Sequence, residues 1–227
     1  MSDVDAIAAQ CVTCCGESLD LLAGRAVFWA ARRALLLADW HLGKAGVFGR
    51  RGLAIPGGDG VADLERLQTM IDWLEIASIW VRGVLMHAPP VAADDWPERV
   101  AQFLLANPTV QMAVVAGNHD RVQREHLPAS LGQLIDWYTE PVDIGPFRLD
   151  HEPDSVAGRF VIAGHLHPTR RLVLGADRLR APAFWFRRQY AVLPAFGSFT
   201  GGHNIRPSGD DRVFVAGPDS VIEVSRR

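Results

Sequence analysis

Cysteine is scarce in this chain: three residues, Cys11, Cys14 and Cys15, form a single cluster. Cys-x-x-Cys invites a redox or zinc role, but no second Cys/His pair lies close by in sequence. The first thirty residues also lack the βαβ context of a redox motif, so these thiols are expected on an early strand or loop. Long apolar runs are missing too. None approaches the ~20 residues of a membrane span, and Met1 to Gln10 is acidic rather than signal-like, so a cytoplasmic protein with no membrane partner is expected. Positive charge is not in excess: 23 Lys and Arg against 26 Asp and Glu leave a net charge of -3 and a pI near 6.2. That balance argues against a generally basic, nucleic-acid-coating protein while leaving room for a local basic groove. No internal repeat, low-complexity tract or interdomain linker interrupts the 227 residues. One domain spanning residues 1–227 is expected, burying roughly three quarters of its unfolded surface.

What the chain does contain is a recurring design in which an apolar run ends abruptly in polar, chemistry-bearing residues. Val114-Val115-Ala116 leads into Gly117-Asn118-His119-Asp120-Arg121. Leu35-Leu36-Leu37-Ala38 leads into Asp39-Trp40-His41, and Phe160-Val161-Ile162-Ala163 into Gly164-His165-Leu166-His167. A buried strand delivers side chains to a crevice in this way, from the residues just past its C-terminal end. Gly117 permits a sharp turn there because it carries no Cβ.

In chain order, Ala26 to Ala30 and Ala34 to Ala38 read as paired strands. A long glycine-rich connection, expected to be a functional loop, runs from Gly43 to Gly58. Val61 to Ile76 reads as an amphipathic helix with Leu64, Leu67, Ile71 and Leu74 on one stripe. Ile79 to Leu85 is a buried strand, Trp96 to Ala106 a helix ended by Asn107-Pro108, and Val110 to Ala116 the next strand. This alternation predicts an α/β sheet with crossover helices. Short β-like runs follow at Phe147–Leu149, Phe160–Ala163, Arg171–Leu174, Ala183–Phe186, Tyr190–Leu193 and Arg212–Val215. They predict a meander packed on the first sheet.

His41, His119, His151, His165 and His167 all sit at or just after expected strand ends, with Asp39 and Asn118 beside them. Imidazole, carboxylate and amide donors together suit manganese, iron, zinc or nickel better than calcium or magnesium. His87 is a weaker candidate for the pocket wall, and His203, in Gly201-Gly202-His203-Asn204, for its rim. His126 reads as an exposed turn residue.

Taken in order, Asp39-x-His41, Gly117-Asn118-His119-Asp120, His151 and Gly164-His165-x-His167 resemble the calcineurin-like metallophosphoesterase pattern. The stretches Ala38-Asp39-Trp40-His41-Leu42-Gly43-Lys44, Gly164-His165-Leu166-His167-Pro168 and Leu193–Gly202 are similar, more narrowly, to the bacterial ligase-associated DNA damage response endonucleases. The resemblance implies a four-layer α/β/β/α sandwich of two mixed sheets flanked by helices. It also implies a metal-dependent phosphodiesterase or endonuclease of DNA repair, acting with an ATP-dependent DNA ligase, a helicase and an exonuclease-like protein. Carried over residue by residue, one ion is held by Asp39, His41 and His167, and a second by Asn118, His151 and His165. Manganese is the expected metal, as one or two ions per chain. His119 matches the general acid and Asp120 the residue that orients its ring.

One position breaks the family pattern. The second motif is Gly-Asp after a strand, its carboxylate bridging both metals, and here Gly83 is followed by Val84. Two dications at ~4 Å repel by about 4 kcal/mol even in water, and valine offers no ligand to offset this. Asp94, Asp95 and Asp59 are the local carboxylates that could substitute. Three functions therefore stay open: an active phosphodiesterase or nuclease with a weakened second site, a degenerate phosphate- or DNA-binding repair protein, and a small-molecule phosphatase. Lys44, Arg50 and Arg51, Arg121 and Arg124, and Arg170-Arg171 follow three of the metal motifs. They suggest a basic rim for a polyanionic substrate, with Lys44, Arg121, His87 and His203 as candidate substrate contacts.

Overall fold

The computed structural model describes residues 7–53, 60–117, 120, 124–174 and 177–224. Seven strands form the first sheet in sequence order: β1 (Ala9–Cys14), β2 (Glu17–Leu22), β3 (Ala26–Trp29), β4 (Ala34–Ala38), β5 (Ser78–Gly83), β6 (Gln111–Ala116) and β7 (Ile135–Tyr138). From β1 to β4 the pairs are antiparallel. From β4 to β7 they are parallel, because the intervening segments are long enough to cross back over the sheet. The β1–β2 turn is Cys15-Gly16, where both residues have positive φ (52° and 82°), the backbone that matches the twist of a two-residue hairpin.

Helices α1 (Lys44–Arg50), α2 (Val61–Trp73) and α3 (Trp96–Ala106) occupy the β4–β5 and β5–β6 connections, and a short α4 (Ala129–Gly132) precedes β7. Leu67 and Met70 of α2 and Val100, Phe103 and Leu104 of α3 pack on Leu35, Leu37, Ile79, Val81, Met112 and Val114. The alternate residues Leu36, Ala38 and Val115 face the second sheet. Apolar neighbours on both faces explain why β4 and β6 read as unbroken apolar runs.

The second sheet comprises β8 (Val142–Ile144), β9 (Phe147–Leu149), β10 (Phe160–Ala163), β11 (Pro168–Leu174), β12 (Asp177–Phe186), β13 (Tyr190–Val192), β14 (His203–Asn204), β15 (Arg212–Ala216) and β16 (Val221–Val224). Its order is β14-β11-β12-β13-β10-β9-β8, with β15 also paired to β12 and β16 to β15. The expected meander is corrected here. Strand β10 lies parallel between β9 and β13, the place for a four-residue run buried along its whole length. Phe147, Phe160, Phe184 and Phe214 meet Trp29 and Leu36 between the sheets, Trp29 edge-on to Phe147 at 4.9 Å. Two mixed sheets thus form an α/β sandwich with α2 and α3 packed on the outer face of the first sheet. No helix among the described residues is long and apolar enough to cross a membrane.

The glycine-rich connection also departs from expectation, since Lys44–Arg50 is helical. Gly46 serves close approach there: a Cβ would stand 2.8 Å from an Asp94 oxygen that pairs with Arg50 Nη1 at 2.6 Å.

Candidate metal centre

Strands β4 and β5 end side by side in the first sheet, and the candidate residues Asp39, His41, His165 and His167 lie just past the ends of β4 and β10. Seven non-glycine residues among those described have positive φ, and four are ligand candidates: Asp39 (49°), His41 (56°), His165 (67°) and His167 (43°). Left-handed backbone is uncommon outside glycine and persists where surrounding structure imposes it, often at functional sites. Here the imposition is visible. Asp39 N–H donates to Arg82 O (3.0 Å), His41 N–H to Val84 O (3.1 Å), Phe196 N–H to Ala38 O (2.7 Å) and His203 N–H to His167 O (2.9 Å).

Asp39 is fully buried. Its Oδ1 accepts the Val84 N–H at 3.0 Å and its Oδ2 the His165 N–H at 2.6 Å. Burial alone would raise its pKa, but the contact with His167 and the Val84 N–H outweigh that and hold the carboxyl below its ordinary range. Two glycines make room for it, because a Cβ at Gly83 or at Gly164 would collide with an Asp39 carboxylate oxygen.

His41 Nε2 lies 3.2 Å from His167 Nε2, which lies 3.4 Å from Asp39 Oδ2. Across this trio every ligand atom is within 4.8 Å of the others. An ion about 2 Å from each atom requires separations of this order, and two imidazoles with one carboxylate are a recognised transition-metal set. The nitrogens facing away are also engaged. His167 Nδ1 meets Gly201 O at 3.2 Å, which holds the ring with Nε2 turned toward Asp39 and His41. His41 Nδ1 lies 3.4 Å from His87 Nδ1. Burial is the main cause that lowers the His41 pKa to about 3, so its ring is neutral, as a ligand must be, at neutral pH.

Beside this trio, His151 Nε2 and His165 Nδ1 approach to 3.0 Å, forming a second donor pair. Asn118, His119 and Arg121 lie outside the described residues. Asp120 is fully buried, and both its oxygens accept backbone N–H groups, from Leu85 (2.8 Å) and Met86 (3.1 Å). Burial pushes its pKa up to about 7 against those bonds. Its carboxylate therefore anchors the segment after Gly83, a contact that sequence reading did not anticipate.

That segment carries Val84, which is 3% exposed and belongs to none of the three main apolar clusters. Neither described substitute carboxylate reaches the site. Asp94 is committed to Arg50 and to the Val91 N–H, and Asp95 to Arg99 at 2.7 Å; Asp59 lies outside the described residues. At the rim, Lys44 opens α1 close enough to His41 to lower its pKa, and exposed His203 pairs in register with Pro168, just past His167. His87 joins the site through His41.

Sequence reading also missed two arginines. Arg82 is fully buried, with one long contact from Nη2 to Leu37 O (3.4 Å) and no partner for Nε or Nη1. Burial lowers its pKa to about 9 while the nearby Asp39 opposes the shift, so it remains a cation beneath the Asp39 carboxylate. Arg66 and Asp63 form a buried pair at 3.0 Å, and Asp63 also accepts the Ser198 N–H and Oγ–H. This pair pins the Leu193–Gly202 segment that buttresses His167. Nothing in the local pattern marks either arginine: one interrupts an apolar strand, the other sits on an amphipathic helix.

No protein-family model matches the chain, and no curated protein does. Among solved structures, the chain is similar to the nuclease MPE of Pseudomonas putida, at 35% identity and a TM-score of 0.81. That match covers 94% of this chain and 100% of the other. A protein of unknown function from Aquifex aeolicus, AQ665, matches at 15% identity and a TM-score of 0.36, over 59% of this chain and 78% of that one. A likeness of 35% identity along the full length of the nuclease fixes kinship, and the chain belongs to the family of Pseudomonas putida nuclease MPE.

Proposed function

We propose that this chain is a metal-dependent nuclease that hydrolyses phosphodiester bonds of DNA. The observation that carries the reading is the convergence of Asp39, His41 and His167 on one point at the strand ends, in a relative of a nuclease. A divalent ion bound there, manganese by preference, with iron, zinc or nickel also suited to the donors, would supply Lewis acidity toward a phosphate oxygen and acidify a water. Asp39, His41 and His167 would hold the ion, and the Gly201 carbonyl and His87 keep the two rings turned inward. Lys44 offers a charge toward the substrate phosphate. His119 protonates the leaving oxygen, a role that rests on the resemblance of Gly117-Asn118-His119-Asp120 to the family motif. A place in DNA repair beside a ligase, a helicase and an exonuclease-like protein, in the cytoplasm, rests on the same resemblance.

Val84 favours a second reading, a protein that binds phosphodiesters without turning them over. Hydrolysis of bis(p-nitrophenyl) phosphate and nicking of circular DNA with added manganese separate the two. The proposal expects turnover that disappears in chelator and falls ~10²-fold or more in His119→Ala, the size of a general-acid contribution. DNA binding with no metal-dependent turnover would establish the second reading instead.

A further inference from the structure

We infer that the β11–β12 ribbon, with the cleft at its root, is an arm that grips the sugar-phosphate backbone of a nucleic-acid strand leaving the metal centre. The inference rests on the nuclease reading for its choice of polyanion. Strand β11 begins at Pro168, the residue after the ligand candidate His167, so the ribbon grows directly out of the site. It is an antiparallel pair running from Thr169↔Pro182 to Leu174↔Asp177.

Residues in register on such a pair share a face. Arg171 is opposite Arg180 and Arg178 is opposite Val173, which gathers three exposed arginines on one face. Among the described residues none of the three makes an ion pair, and the Arg180 guanidinium reaches only the Gly202 carbonyl, at 3.4 Å. Like charges directly opposite destabilise a strand pair unless a counter-charge joins them. The other face is accounted for by packing, since Leu172 and Ala181 join a cluster with Ala183, Ile205 and Val213.

At the root lies a cleft of about 330 Å³ lined by Arg25, Arg66, Arg180, Leu179 and Pro182 among others, with no carboxylate in the lining. Arg66 is paired with Asp63 behind the wall. Arg25 donates to Ser198 Oγ at 2.9 Å and is held beside Arg66. On an extended strand Arg171 stands about 13 Å beyond His167 at ~3.3 Å per residue. That corresponds to roughly four nucleotides at the 3.4 Å rise of a helical strand. Exposed Val173, 67% accessible beside these arginines, offers an apolar surface to sugars. Against a net charge of -3, three exposed arginines on one face of this ribbon form a local basic patch.

The test compares the full chain with Arg178→Gln/Arg180→Gln. A fluorescent single-stranded oligonucleotide is titrated in chelator across a potassium chloride series, and bis(p-nitrophenyl) phosphate turnover is measured in manganese. The variant should bind DNA at least tenfold more weakly, with a log–log salt slope shallower by about 1.4, since each phosphate contact on a single strand adds ~0.7. Small-diester turnover should stay within about twofold, because one phosphodiester does not span the arm. Should the double variant misfold, Arg178→Gln alone is read for a slope change of about 0.7, with Arg178→Lys retaining the wild-type slope. Equal affinity and slope in variant and wild type would overturn the arm while leaving the nuclease reading intact. Arm-dependent DNA binding without hydrolysis of any diester would uphold the arm and remove the nuclease reading.

Discussion

Val84 is the residue at which this chain departs most from the pattern it otherwise keeps. Its N–H serves the Asp39 carboxylate and its carbonyl accepts the His41 N–H, so the backbone at this position belongs to the site even though its side chain carries no ligand. The Val84→Asp substitution should give the His151–His165 pair an anionic partner. In chelator the variant should be less stable than wild type by ~1–3 kcal/mol, because a buried carboxylate near Asp39 lacks partners. In manganese it should melt higher and bind a second ion, since a ligand that binds only the folded state stabilises it. Thermal melts with and without chelator, together with elemental analysis, check both halves. Unchanged melting and metal content in manganese would mean that another residue already bridges. Arg82 adds to the contrast: a buried cation under Asp39, where the strand on either side of it is apolar, lowers the appetite of this region for a second dication.

At the scale of elements, the Leu193–Gly202 segment is what turns two strand ends into a site. It reaches across from the second sheet, hydrogen-bonds to Ala38 and places Gly201 O on His167. Asp63 and Arg66 of α2 hold it from below, with the Arg66 guanidinium 4.2 Å over the Phe196 ring and donating to Phe196 O at 2.6 Å. Asp63→Ala leaves Arg66 buried without its counter-ion and should cost ~3–5 kcal/mol. The urea midpoint of the apo protein should fall accordingly, and metal affinity with it; a surface-like change below 0.5 kcal/mol would show that the segment is held otherwise. Little of this was legible in sequence, because the contacts of α2 with this segment join residues 130 and 135 positions apart. Elements with strong local signals were legible. Helix α3 matches its expected Trp96–Ala106 span, where a Pro opens the first turn and Asn107-Pro108 closes it. Strands β9 and β10 match theirs because apolar runs bounded by turn residues admit few alternatives. Helix α1 was hidden by glycines that serve packing, and β7, β8, β14 and β16 are short strands defined by their partners rather than by an apolar pattern. The approach of Asp39, His41 and His167 to one another was foreshadowed by their places at strand ends, whereas the second contacts of His41 and His167 were not.

At the scale of the whole molecule, two sheets share one apolar interior and bring their strand ends to a common edge. The first sheet contributes Asp39 and His41, the second His151, His165 and His167. A metal bound at that edge would tie the sheets together, so its affinity would report on the sandwich as well as on the chemistry. We propose that Asp39, His41 and His167 form the firm ion site. Calorimetric titration of manganese into chelator-stripped wild type, His41→Ala and His151→Ala tests it most directly. One tight ion is expected in wild type, retained in His151→Ala and lost in His41→Ala while the variant remains folded. Tight binding that survives His41→Ala but is lost in His151→Ala would contradict it.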